Sequence, residues 1–217
     1  IVSMINITGL MMKTSAIILS FSQGKLWLTL LLVALIAYIL GMGLPISTSY
    51  IILATLSAPA IVSLGVDMLV VHLTIFWFTQ LATITPPVCM TAFAAAGIAQ
   101  GQPMKTGFTA LKMGFTFYYV PVLFVYSQLI NGAWWVQCII AVFAIIAIYF
   151  LGTFTEKYFM GDLGNIQRFT GLAIFAVIYF MMFDGLTMPM RGALLALAVA
   201  LIASLYIVQK KKQQAAA

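Results

Sequence analysis

Two clusters in this 217-residue chain carry residue types that leave backbone oxygens without helical partners. The first is Thr83-Ile84-Thr85-Pro86-Pro87. Neither proline offers a backbone N–H, so the carbonyls about one turn earlier, at Ala82 and Thr83, lose their helical donors. In apolar surroundings each orphaned carbonyl costs several kcal/mol unless something satisfies it. A cation does so: carbonyl oxygens and the hydroxyls of Thr83 and Thr85 form an uncharged oxygen cage suited to Na⁺. A half-helix starting near Pro87 aims its N-terminal dipole at the same region, which favours an anionic group there. The second cluster is Gly41-Met42-Gly43-Leu44-Pro45-Ile46-Ser47-Thr48-Ser49. Gly41 and Gly43 open backbone conformations closed to other residues, and Pro45 ends one segment. Ser47, Thr48 and Ser49 are placed to N-cap the returning segment or to present hydroxyls to a ligand.

Each cluster has a plainer reading. A proline in an apolar helix is often a kink satisfied by neighbouring helices, and Gly/Ser/Thr clusters often let helices pack closely. Two interruptions separated by one short arm and one half-helix are a sharper signal than either alone, because paired breaks are the layout expected of a secondary-transporter site. His72 is the single histidine. With only Asp67 as a nearby acid, it is expected to pack or hydrogen-bond rather than to relay protons. Phe76, Trp77, Phe78, Tyr118 and Tyr119 are expected to pack, and the 13 methionines to fill gaps. No metalloprotease HExxH, Walker lysine motif, nucleophile elbow or CxxC occurs, so no enzyme is indicated.

The composition says where such sites must work. Of the chain, 64% is apolar and 6% charged, against about 25% charged in a soluble domain; a water-soluble globule is excluded. Asp67 is the sole Asp, Glu, Lys or Arg between Leu26 and Met104, and residues 113–155 hold none. A hydrocarbon layer about 30 Å thick takes roughly 20 apolar residues per helix, so the chain has room for roughly six or seven crossings. The net charge of +6 is not a nucleic-acid footprint, since Lys210, Lys211 and Lys212 directly follow the last apolar run. That placement points the C-terminus to the cytoplasm. Proton-driven pumps usually thread Asp, Glu or His through the membrane, and the lack of deep acids here favours Na⁺ over H⁺. Cys89 and Cys138 lack partners at metal-ligand spacing and read as small packing residues.

The expected architecture is all-α: a polytopic transmembrane protein with a re-entrant helical hairpin and a discontinuous helix. Residues 1–12 read as the end of a truncated helix and 13–25 as a polar-flecked connection. Residues 26–64 form the hairpin, with arms too short to cross and the Gly/Pro cluster at the tip. Residues 68–99 form a helix broken at Thr83–Pro87, 100–106 a loop, and 108–130 a span containing Pro121. Residues 1–130 thus make one domain. Residues 131–217 add further spans, near 136–154, 170–186 and 192–208, with Trp134 and Trp135 as interfacial anchors and a Lys-rich tail. A polar stretch covers 156–168, and a short turn holds Asp184, Pro189 and Arg191. Starting with Ile1 in an apolar stretch, the chain reads as the C-terminal part of something longer, with any inverted repeat upstream.

The motifs GMGLP (41–45) with Ser47 and Tyr50, His72-Leu73 and Phe76, ITPPV (84–88), AAAGIA (94–99) and PMKTGFTA (103–110) resemble one family. It is the large membrane subunit of the tripartite ATP-independent periplasmic (TRAP) transporters, in the version fused to the small membrane subunit. The resemblance runs from about Thr8 to Tyr126. It implies an elevator-type secondary importer of two inverted repeats in a bacterial or archaeal inner membrane. Each repeat holds a re-entrant hairpin and an unwound helix, and Na⁺ and an organic acid such as a C4-dicarboxylate bind where these meet. It also implies a periplasmic solute-binding protein as partner, an N-terminal remainder of the permease without which this chain does not transport, and no cofactor beyond the coupling ion. Carried onto this sequence, Gly41, Gly43, Pro45, Ser47 and Thr48 shape the second hairpin tip, and Ala82, Thr83, Thr85, Pro86 and Pro87 the unwound helix. Ser47 stands where the family pattern has Thr, and Thr48 where it has a small apolar residue. Two other readings stay open: a sodium/dicarboxylate transporter that works without a binding protein, and a structural subunit whose broken helices only pack.

Overall fold

The computed structural model describes residues 4, 7–159, 161 and 163–216, without the side chains of 211–213 and 215–216. Every regular element among these residues is helical. The chain divides into two compact units, 1–125 and 126–217.

In the first unit, α1 (Leu10–Ser22) precedes the hairpin arms α2 (Leu26–Gly41) and α3 (Ile46–Val62). The broken helix continues the chain as α4 (Met68–Ala82) and α5 (Met90–Ile98). Then come α6 (Pro103–Gly114), a 3-10 stretch (Phe115–Tyr119) and α7 (Val120–Tyr126). The connection expected over 13–25 is therefore largely helix: its scattered polar residues Ser15 and Ser22 are buried, with Ser15 Oγ donating to the Leu56 carbonyl of α3 at 3.0 Å. The helix end expected over 1–12 falls partly outside the described residues.

The hairpin arms and α4 pack on one another. Leu30, Val33, Ala34 and Ala37 of α2 recur at helical spacing and are buried, while Trp27, Leu31, Leu35 and Ile39 stay exposed on the other face. Exposed aliphatics around a whole unit are what lipid contact requires. On α3 the buried face mixes small residues, Ser49, Ala54, Ser57, Ala58 and Ala60, which let the helix axes approach closely, with fully buried Leu53 and Ile61. Asp67 caps α4, accepting the Leu69 N–H at 2.8 Å.

The span expected over 108–130 runs from 103 to 126 and is not uniform. Pro103 occupies the first turn of α6, where its missing N–H costs nothing, so the helix starts within the expected loop. Pro121 would leave the Phe117 carbonyl without its helical donor, and there the chain tightens to 3-10 geometry. The Trp77 indole N–H of α4 donates to that carbonyl at 3.1 Å.

The second unit holds α8 (Trp134–Glu156), α9 (Asn165–Met181) and α10 (Met188–Ala216). α9 packs against both others. It starts before the expected residue 170, because Gln167 closes its first turn by accepting the Gly164 N–H at 2.9 Å. Gly171 faces α8 so closely that a Cβ there would overlap the Thr153 hydroxyl. Arg168 lies over the Phe154 ring, 4.3 Å from its centroid, and donates from Nε to the Phe154 carbonyl at 2.6 Å. Buried Gln209 donates to Gln167 Oε1 at 3.1 Å. The helices Pro103–Tyr126, Trp134–Glu156 and Met188–Lys210 are long and apolar enough to cross a membrane.

Candidate functional site

The hairpin tip and the helix break meet. Gly41, the last residue of α2, is buried against Ala82, the last residue of α4, so closely that a Cβ on Gly41 would overlap the Ala82 Cβ. Only glycine permits that approach. Both helices end there because the residues after them are rich in glycine or proline. Ser49 is buried beneath the tip, its hydroxyl 3.5 Å from the Leu40 carbonyl of the opposite arm. Gly43, Pro45 and Ser47 lie on the exposed side of the tip, with open space around Gly43, and Thr48 is half-buried.

The expected N-cap from Ser47, Thr48 or Ser49 is not formed. Pro45 occupies the cap position with φ −57° and ψ 148°, and the helix already runs from Ile46. Proline's fixed φ suits an extended cap residue, so the hydroxyls fall inside the first turn. Their oxygens therefore flank a helix start that no side chain caps.

At the break, the bonds lost to proline are remade locally. The Thr83 carbonyl, which a residue at 87 would normally serve, accepts the Thr91 hydroxyl at 2.8 Å. The Ala82 carbonyl keeps a long bond from the Thr85 N–H, 3.4 Å. The Thr83 hydroxyl donates to the Gln80 carbonyl at 2.8 Å and the Thr85 hydroxyl approaches the Leu81 carbonyl at 2.6 Å. The Pro86–Pro87 peptide bond is cis. The second half-helix starts at Met90 rather than near Pro87, with Cys89 as its cap residue. α6 carries the loop on two glycines about two turns apart on one face: a Cβ on Gly107 would come within 2.5 Å of Cys89 Sγ, and one on Gly114 within 2.5 Å of Ile84 Cδ1.

Sequence reading missed Tyr118, Tyr38 and Thr91 as part of this site. The Tyr118 hydroxyl is hydrogen-bonded to the Thr85 hydroxyl, and the Tyr118 ring lies 6.1 Å from that of Tyr38 on α2. A phenol far from either end of a span needs a polar partner, and that was the available signal. His72, expected to pack or hydrogen-bond, does both: its Nδ1 lies 2.9 Å from the Tyr50 hydroxyl and its ring meets the Tyr50 ring edge-on. Beside the break, a groove of about 460 Å³ is walled by Phe76, Trp77 and Phe117, with Gln80, Thr83 and Thr91 as its polar members. The oxygen donors at the break are thus neutral carbonyls and hydroxyls, a set that suits a hard monovalent cation better than a soft metal.

A family model described as the DctM component of tripartite ATP-independent periplasmic transporters matches residues 1–131. The chain belongs to the DctM family. It is therefore a membrane component of a TRAP transporter rather than a member of an enzyme family. The DctM match takes in both interruptions, the packed glycines of α6 and the Pro121 span. The apolar helices agree with a multi-pass membrane protein. Curated proteins and solved structures gave no match.

Proposed function

We propose that this DctM-family chain contributes the hairpin and broken-helix half of a sodium-coupled importer of organic acids fed by a periplasmic solute-binding protein. The observation that supports this reading best is the packing of Gly41 on Ala82, which sets the two backbone interruptions side by side. Hydroxyls of Thr83 and Thr85, with carbonyls at the end of α4, are the chain's own groups for holding Na⁺. The uncapped start of α3 beside Ser47 and Thr48, and the start of α5, offer N–H dipoles to a carboxylate. Gly41, Gly43 and Pro45 shape the tip that covers it, and Pro86 and Pro87 keep the opposite wall from closing into helix. Bound Na⁺ supplies positive charge where neither wall has a Lys or Arg. In this reading the protein sits in a bacterial or archaeal inner membrane with Lys210–Lys212 in the cytoplasm.

The test is uptake of a labelled C4-dicarboxylate into proteoliposomes holding the complete permease. A requirement for both a sodium gradient and the purified periplasmic receptor is expected. Uptake that proceeds equally in choline buffer overturns the coupling, and uptake without a receptor favours a stand-alone symporter. The bond from Thr91 to the Thr83 carbonyl favours one further reading, in which the break is closed on itself and only packs. Sodium-dependent protection of residues 81–91 in hydrogen exchange separates the two: a packed break shows none.

A further inference from the structure

The second unit contains an arginine that its own fold leaves incompletely satisfied. Arg191 lies in the first turns of α10, and its backbone N–H donates to the Thr187 carbonyl at 3.0 Å. Its Nη2 donates to the Phe183 carbonyl at 3.2 Å, which pins the guanidinium across the turn between α9 and α10. Its Nε is buried and has no hydrogen-bond partner among the described residues. A buried cationic donor without an acceptor is costly, and the cost disappears when an anionic oxygen arrives.

Arg191 borders a groove of about 270 Å³ whose other walls include Ile139, Ile140, Met181, Met188 and Leu195. Ile139, Met188 and Leu195 remain substantially exposed, so the groove opens along the apolar side of the unit. Such walls repel a hydrated organic acid and accept an acyl chain. The level is right as well. The start of α8, the end of α9 and the start of α10 all line this groove, and exposed Trp134 and Trp135 stand at the start of α8. Interfacial tryptophans and an arginine on the first turn of a span mark headgroup depth.

We propose that this groove binds an anionic phospholipid, with Arg191 Nε donating to a headgroup phosphate oxygen and the acyl chain lying along Met188, Leu195 and Ile139. Charge complementarity selects the anionic lipid over a zwitterionic one, and the aliphatic walls select a lipid over a free anion. The site belongs to the helices beyond the family match and is independent of sodium coupling.

The experiment measures binding of fluorescent phosphatidylglycerol and phosphatidylcholine to the detergent-solubilised full chain. Phosphatidylglycerol is expected to bind about fivefold more tightly, the contribution of one basic residue near a membrane surface. Arg191→Gln is expected to remove that preference; a preference that survives overturns the proposal. Should Arg191→Gln fail to fold, Leu195→Trp keeps the arginine and fills the groove, and unchanged phosphatidylglycerol binding by that variant overturns it equally. Inorganic phosphate at matched ionic strength is expected to leave the lipid bound. Displacement by phosphate assigns Arg191 to a soluble anion and also overturns the proposal.

Discussion

The Tyr50 hydroxyl, on the returning arm of the hairpin, lies 2.9 Å from Nδ1 of His72 on the first half of the broken helix. The Tyr50 ring also meets Phe76 edge-on, one turn further along the same helix, at 5.9 Å. The hairpin is thus clamped to α4 about one turn into its returning arm as well as at its tip.

Tyr50→Phe keeps the ring contacts and removes the hydrogen bond, so a loss of about 1 kcal/mol in stability is expected. Thermal unfolding of purified protein checks this; an unchanged midpoint in the variant contradicts a hydrogen bond that contributes to stability.

At the tip, Gly41→Ala sets a methyl against the Ala82 Cβ and is expected to cost about 1–3 kcal/mol, as overpacking does. Ala82→Gly clears the space. The double variant should therefore recover most of the lost stability, a coupling that a double-mutant cycle reads directly. Additive losses would show that the two residues do not share the contact.

Ser47→Ala combined with Thr85→Ala removes one hydroxyl from each wall of the proposed site. In the complete permease the sodium concentration for half-maximal uptake is expected to rise, with protein abundance in the membrane unchanged. An unaltered sodium dependence counts against the placement of the ion.

Thr91→Val removes the donor to the Thr83 carbonyl and leaves that oxygen bare in an apolar setting, a penalty of about 1–3 kcal/mol. Faster hydrogen exchange across residues 83–91 is the expected readout. If exchange there is unchanged, the loop does not depend on this bond.

Much of the first unit was legible in the chain. The ends of α2 and α4 are set by Gly41–Pro45 and by Pro86–Pro87, because glycine and proline act on backbone geometry wherever they stand. The ends of α1 and α9 were not legible in this way. Ser15, Ser22 and Gln167 look like loop residues until their oxygens and donors are seen to bond within the fold.

By itself, then, the sequence determined that the chain lives in lipid, that it is helical, and where two helices must break, since apolar length and missing N–H groups are local properties. Tertiary structure alone decided that the breaks face each other through Gly41 and Ala82, and that Thr85 finds Tyr118 and Thr83 finds Thr91. An orphaned carbonyl announces a need in one dimension; which group meets it depends on what the packing of other helices brings within hydrogen-bond reach.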